Sequence, residues 1–318
     1  MTAERVPVPD AAAVRAVVDR VFGMTAATTV ERVAEGVSTY VFRIERGAET
    51  FYLRVLPEAG ASFAPEAAVH RLLLDREVRV PAVVHYEHRN EVLGCSVMVT
   101  GEIAGCHVGR RAVDGATAAI VREAGRQLAV INSVPVAGFG WVRRDLGDVA
   151  RVEGEHATNR TFLTEYLDAD LALLGAQALP RERVDVIRSI VAERSGWLEG
   201  EQGWLAHGDF DATHIFQEDG RYSGIIDFGE IRGADRWYDL GHFRMHDGEI
   251  LPVTALDWLL EGYGEAVDLL AGAYERICFA SLLIAVRALA RRMRRDAGAG
   301  RRHQALASIP RDIAALSR

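Results

Sequence analysis

The stretch that decides the fold covers residues 207–238, HGDFDATHIFQEDGRYSGIIDFGEIRGADRWY. It holds a His-Gly-Asp loop, His214 five residues after Asp209, and an apolar run that ends in Asp227, 18 residues after Asp209. Apolar residues on both sides of Glu-Asp-Gly at 218–220 predict a β-hairpin, because this turn sequence joins two short strands. We expect the hairpin to bring His214 and Asp227 to its open end, close to Asp209.

These three residue types fit phosphoryl transfer from a nucleotide. That reaction needs a carboxylate that accepts the proton of the attacking hydroxyl, and ligands that hold a divalent ion against the phosphates. Asp209 suits the first role, and His214 and Asp227 suit the second. Each residue alone also has a structural interpretation, as a turn Asp, a hydrogen-bonded strand His or a strand-end cap. Their order along the chain favours the catalytic interpretation.

The motifs HGD-x-x-x-x-H, IIDFG and GADRWYDLGHF resemble the catalytic and metal-binding segments of the aminoglycoside and macrolide phosphotransferases, relatives of choline kinases and, more distantly, of protein kinases. The resemblance implies that Asp209 is the catalytic residue and that His214 and Asp227 bind the metal. It also implies support from His207 and from Asp239, a buried carboxylate that accepts N–H bonds from the loop.

The family resemblance further implies ATP or GTP as phosphate donor and Mg²⁺ as the metal. The family loop usually carries Asn where this chain has His214, although the macrolide kinases also place His there. Because imidazole is a softer ligand than an amide, it suits Mn²⁺ better than Mg²⁺. Both ions therefore remain open.

The resemblance implies an α+β, two-lobed protein-kinase-like fold. Residues 1–100 would form a small antiparallel sheet with a helix, the nucleotide-binding lobe, and residues 101–318 a mostly helical lobe with the catalytic loop and acceptor pocket. Local patterns agree with this, since residues 9–22 have helical periodicity and residues 40–44 and 51–55 alternate as strands.

Nucleotide contacts are expected mainly in the first lobe. The resemblance gives Arg54 the role of the phosphate-gripping cation, paired with a helix glutamate, for which Glu66 is the candidate and Glu58 the rival. The Gly-Val-Ser-Thr bend at residues 36–39 is a weaker candidate for phosphate binding, since an ordinary hairpin loop would also explain it. The segment 100–103, at the end of an apolar strand, resembles the hinge that meets adenine in the family. The cofactor-binding candidates are Gly36, Ser38, Thr39, Arg54, Glu66, Thr100, Glu102, Ile103 and Ile226.

Composition excludes several classes of site. The chain has 318 residues, and its 37 basic residues are all Arg. Without Lys there is no Walker A loop and no lysine Schiff base. Three cysteines without CxxC spacing argue against a disulfide framework. With no secretion signal pattern or membrane-length apolar run, we expect a cytoplasmic location and no membrane partner.

The charge distribution bears on the acceptor. Residues 101–280 hold 17 Arg and 30 acidic residues, whereas residues 281–318 hold 9 Arg and 2 acidic residues. An acidic lobe favours a cationic acceptor and disfavours nucleic acid, so an aminoglycoside is the first candidate for a hydroxylated acceptor. A macrolide, suggested by His214, and an ordinary metabolite remain alternatives. The alternative from another functional class is a nucleotide-binding pseudokinase that serves as a scaffold. The Arg-rich tail is interpreted as a solvated helix face.

Overall fold

The computed structural model describes residues 5–25, 28–33, 39–110, 112–200, 202–295 and 304–317. The chain forms two compact units. The first unit comprises Met1–Ala104, Arg143–Val152 and Ser223–Gly229, and the second comprises Gly105–Val142, Glu153–Tyr222 and Glu230–Arg318. Residues 143–152 and 223–229 thus belong to the first unit, whereas the sequence predicted this lobe as the continuous stretch 1–100. One link is the N–H of Ile225, which donates to the carbonyl of Arg79 at 2.9 Å.

The first unit is built on an antiparallel sheet with strand order β1-β2-β3-β5-β4. Helix α1 begins after Asp10, whose side chain accepts the N–H of Ala13 at 2.7 Å and so caps the helix. Alternate residues of β2 and β3, including Phe42, Ile44 and Leu53, are buried against α1. The elements are α1 (Ala11–Phe22), β1 (Thr28–Val33), β2 (Tyr40–Arg46), β3 (Glu49–Val55), α2 (Ala64–Asp75), β4 (Val83–Glu87) and β5 (Val97–Gly101).

The second unit is mostly helical. Its short strands form a five-stranded sheet of order β7-β10-β13-β8-β9 and a three-stranded sheet of order β12-β11-β6. Its strands are β6 (Cys106–His107), β7 (Pro135–Val136), β8 (Phe139–Val142), β9 (Gly154–His156), β10 (Gly203–Ala206), β11 (Ile215–Glu218), β12 (Arg221–Ile225, whose last three residues belong to the first unit) and β13 (Arg232–Ala234). Its helices are α3 (Gly115–Ile131), α4 (Asn159–Thr164), α5 (Leu167–Gln177), α6 (Arg181–Glu193), α7 (Tyr238–His246), α8 (Leu256–Ala266), α9 (Ala273–Arg295) and α10 (Gln304–Leu316).

The predicted hairpin is present as β11 and β12. Asp219 and Gly220 between them have φ of 50° and 78°, the left-handed pair that a type I′ turn requires. The side chain of Gln217 accepts the N–H of Gly220 at 3.0 Å. An Asp-Gly pair tolerates this conformation, so the local sequence fixes the turn.

Helix α9 is the central helix of the second unit. Residues 277–286 are almost fully buried, and the helix packs against α5, α7 and α10. An antiparallel sheet in one unit and packed helices in the other confirm the predicted α+β fold. Of the described helices, none has both the length and the apolar character needed to cross a membrane.

Candidate active site

A buried carboxylate holds the His-Gly-Asp loop, residues 207–214. Asp239 accepts the backbone N–H of His207 at 2.8 Å and that of Gly208 at 2.9 Å. Asn132 donates to the same carboxylate at 2.9 Å and to the carbonyl of Leu205 at 2.9 Å. Gly208 has φ of 90°, and a Cβ there would lie 2.0 Å from the carbonyl oxygen of Glu230. Only glycine therefore fits before Asp209.

The carboxylate of Asp209 faces a cleft in the second unit and forms an ion pair with His242, whose Nε2 lies 3.2 Å from Oδ1. Burial alone would raise the pKa of Asp209, but the hydrogen bond and charge of His242, with smaller effects of His214 and His207, lower it below its usual range. Asp209 is thus ionised at any working pH. His242 was not singled out by the sequence, although it lies in the quoted GADRWYDLGHF motif.

The ring of His214 has a defined tautomer. Its Nδ1 lies 2.6 Å from the carbonyl oxygen of Asp209. Because a carbonyl can only accept, Nδ1 carries the proton, and in the neutral ring Nε2 carries the lone pair that a metal requires. The ring of His207 is 5.4 Å away, centroid to centroid. This arrangement suits a ligand role for Nε2.

Asp227 belongs to the first unit and has φ of 64°, a conformation uncommon for a residue with a side chain. Its Oδ1 accepts the N–H of Gly229 at 3.4 Å. Asp209 and His214 lie in the other unit, so the convergence of the three side chains stays a prediction. In the part of the chain that the structure describes, no group of three or more His, Cys, Asp or Glu side chains could hold a metal ion. A divalent ion held here would need phosphate oxygens among its ligands.

Glu66 is 1% exposed and forms ion pairs with two guanidinium groups, those of Arg54 and Arg144. Arg144 donates to Oε2 of Glu66 at 3.0 Å and to the carbonyl of Gly229 at 2.7 Å. Burial would lower the pKa of Arg54, but the charges of Glu66 and Asp227 raise it. The first unit thus brings together the Arg54–Glu66 pair and, through Arg144, the backbone beside Asp227.

The rival partner proposed for Arg54, Glu58, instead lies 3.8 Å from Arg5. Arg144 was missed by sequence reasoning. It follows the Gly-Phe-Gly-Trp turn by three residues, yet only the tertiary structure shows that it reaches a helix 78 residues earlier in the chain.

The other residues proposed for nucleotide binding differ in how far they are buried and in what they contact. Gly36 and Ser38 lie outside the described residues, and Thr39 is buried. Thr100 is buried in β5, and the N–H of Glu102 is taken by the carbonyl of Thr50 at 3.1 Å. Ile103 lies next to Gly224, since a Cβ added to Gly224 would lie 3.0 Å from the side chain of Ile103. Ile226 is half-buried.

The cleft beside Asp209 has a volume of about 440 Å³ and lies within the second unit. Trp141 forms part of its wall, and the guanidinium of Arg232 stacks over this ring at 4.2 Å. The carboxylates in its lining are Glu155, Glu165, Asp170, Asp209 and Glu230, and the guanidinium groups are Arg232, Arg287 and Arg291. Other lining residues come from the segment 155–170 and from α9.

Comparisons with known proteins identify the family and the fold. The family model described as "Phosphotransferase enzyme family" matches residues 29–278. An aminoglycoside 3'-phosphotransferase of Enterococcus faecalis is 38% identical over 61 residues, which span 19% of this chain and about a fifth (20%) of that relative.

Two solved structures share the fold. Aminoglycoside phosphotransferase APH(4)-Ia, in a ternary complex with AMP-PNP and hygromycin B, aligns with a TM-score of 0.64 at 16% identity and covers 96% of this chain and 97% of its own. The macrolide 2'-phosphotransferase MphH of Brachybacterium faecium aligns with a TM-score of 0.59 at 15% identity, covering 94% and 97%. The predicted kinase-like fold is confirmed.

Proposed function

Since this chain belongs to the phosphotransferase enzyme family, we propose that it transfers the γ-phosphate of ATP to a hydroxyl of a small cationic acceptor, with an aminoglycoside as the first candidate. The observation that carries the proposal is the ionised carboxylate of Asp209, held on a loop fixed by Asp239 and facing a cleft of about 440 Å³.

Asp209 would accept a hydrogen bond from the attacking hydroxyl and take its proton as the hydroxyl oxygen bonds to the γ-phosphorus, while the bond from that phosphorus to the β–γ bridging oxygen breaks and ADP leaves. Its lowered pKa makes it a weak base. Its main contribution is therefore to orient the hydroxyl, because in this reaction class positioning and charge stabilisation carry most of the rate.

We propose that residues of the first unit bind the nucleotide. Arg54 would grip phosphate oxygens, since a guanidinium stays charged and donates in a fork. Glu66 fixes its orientation. A divalent ion held by His214 Nε2 and Asp227 would neutralise charge on the phosphates when bound. ATP is preferred as donor because APH(4)-Ia binds AMP-PNP, and GTP remains the alternative to test.

The lining of the cleft supports an aminated acceptor. Five carboxylates line the cleft with three guanidinium groups and with His242, which is paired with Asp209, so the carboxylates outnumber the cationic groups by one. Ammonium groups would be attracted to such a wall. A macrolide presents far more apolar surface. Packing that surface against these charged groups would remove water from them, which costs free energy. We therefore propose an aminoglycoside ahead of the macrolide alternative.

The test is a panel of aminoglycosides, macrolides and small amino alcohols incubated with the protein, ATP or GTP, and Mg²⁺ or Mn²⁺, and analysed by mass spectrometry. We expect a gain of one phosphate on aminoglycosides, with matched loss of the donor's γ-phosphate. Gain on macrolides alone would overturn the acceptor assignment. Nucleotide binding without transfer to any acceptor would instead support the pseudokinase scaffold.

A further inference from the structure

We propose that His242 is a positioning residue for the reaction: as an imidazolium, it holds the carboxylate of Asp209 in the orientation that meets the acceptor hydroxyl. The inference rests on the proposed role of Asp209 and adds to it a residue of α7.

The geometry requires both ring nitrogens of His242 to carry protons. Nδ1 lies 3.1 Å from the carbonyl oxygen of Phe210, and Nε2 lies 3.2 Å from Oδ1 of Asp209. A carbonyl and an ionised carboxylate only accept hydrogen bonds. A neutral imidazole could donate to one of them and would present a lone pair to the other. The imidazolium satisfies both.

The surroundings of His242 support the charged form. The ring is 6% exposed, and burial alone would lower its pKa, but Asp209, with Asp211 and the Phe210 carbonyl, raises it. On the same helix, the ring of His246 lies 5.0 Å from it, centroid to centroid, and is hydrogen-bonded to Glu249 at 2.6 Å.

The ion pair with His242 affects Asp209 in two ways, through its geometry and through its charge. Binding of Oδ1 by His242 fixes the side-chain torsions of Asp209 and leaves Oδ2 to receive the hydroxyl proton. The opposite charge also keeps Asp209 ionised in a partly buried position, where carboxylates otherwise tend to protonate. A misplaced carboxylate would lose much of the advantage of a pre-aligned hydroxyl.

Variants separate positioning from folding. His242→Phe keeps a ring of similar size and removes both donors, whereas His242→Gln keeps one donor and removes the charge. We expect kcat to fall by about 10- to 100-fold in the Phe variant, with partial recovery in the Gln variant and KM for ATP changed less than about twofold. The control is His85→Gln, because His85 is also paired with a carboxylate, Glu87 at 2.6 Å, but on β4 of the first unit.

A second readout does not depend on turnover. In ¹⁵N NMR spectra, with the His242 signals assigned by their loss in His242→Gln, we expect wild-type His242 to stay doubly protonated at pH 7.5. In Asp209→Asn its pKa should fall to about 6.5 or lower, the ordinary value or below, because the paired charge is gone.

The two readouts distinguish the possible failures. A neutral His242 at pH 7.5, or full kcat in folded His242→Phe, overturns this inference while leaving the proposed function intact. No phosphorylation of any acceptor by the wild-type protein overturns the proposed function, whatever the NMR spectra show.

Discussion

At the scale of single residues, Glu66 is one buried carboxylate that pairs with the guanidinium groups of Arg54 and Arg144. Glu66→Gln would remove the carboxylate that both cations share. We expect the free energy of unfolding to fall by about 3 kcal/mol, as for other broken buried pairs, and KM for ATP to rise. Urea unfolding and initial-rate kinetics measure the two effects. Glu58→Gln, at a half-exposed pair, should cost about 0 to 1 kcal/mol, and equal losses in both variants would contradict this account.

His214 determines the expected choice of metal. Replacing its imidazole with the amide of Asn removes a softer ligand in favour of a harder one. We expect His214→Asn to lower the ratio of kcat with Mn²⁺ to kcat with Mg²⁺ by about tenfold, measured by titrating each metal into chelator-treated protein. An unchanged ratio would show that His214 does not bind the catalytic ion.

The family resemblance implied a pair between Arg54 and a helix glutamate, and local periodicity placed Arg54 on a strand and Glu66 on a helix. The ion pair between them is present. Arg144 and His242 could not be found in this way. Their partners, Glu66 and Asp209, lie far along the chain, and only tertiary packing brings these side chains together.

At the scale of elements, Asp170 ties α5 to α9. Its carboxylate is 1% exposed and pairs with Arg287 at 3.1 Å and Arg294 at 2.5 Å. Both arginines are partly exposed, so water screens the pairs. We therefore expect Asp170→Asn to cost about 1 to 2 kcal/mol in urea unfolding, between the values for surface and buried pairs. The control Asp185→Asn changes an exposed carboxylate on α6 and should cost less than about 0.5 kcal/mol.

Cys278 makes the stability of α9 sensitive to alkaline pH. Burial of this thiol raises its pKa to about 11, against about 8.5 in an unfolded chain. Because the pKa is higher in the folded protein, the buried thiol contributes fully to the free energy of unfolding below about pH 8.5. This contribution is lost as the pH rises towards 11. Over this window we expect the wild-type protein to lose about 3 kcal/mol more than Cys278→Ser, because about 2.5 pKa units at about 1.4 kcal/mol each are nearly all lost when the folded thiol is half ionised. Parallel stability curves for the two proteins would contradict the assignment.

The hairpin shows what element-scale sequence reasoning can achieve. An Asp-Gly pair between apolar arms predicts the turn, and the turn has the backbone angles that such a pair favours. The acidic, polar and aromatic composition of residues 145–170 predicts irregular loops and helices around the acceptor, and the structure has α4 and the start of α5 there, together with the strand β9. The bounds of these elements could not be predicted, because short helices are stabilised by packing.

At the scale of the whole molecule, the sequence showed the charge imbalance between an acidic body and a basic tail, and the structure shows how part of it is compensated. Arg287 and Arg294 of α9 pair with Asp170 of the acidic lobe, which agrees with a tail that serves the protein itself. The cleft could not be predicted because its wall combines residues from β8, β9, α4, α5, α7 and α9. Its position depends on how those helices pack.

The most direct test of the central claim is the rate of phosphate transfer from ³²P-labelled ATP to an aminoglycoside by the wild-type protein and by Asp209→Asn, with nucleotide affinity measured in parallel. The account predicts transfer by the wild-type protein and a fall of about 10³-fold in the variant, at unchanged affinity for ATP. Transfer at the wild-type rate by Asp209→Asn would contradict it.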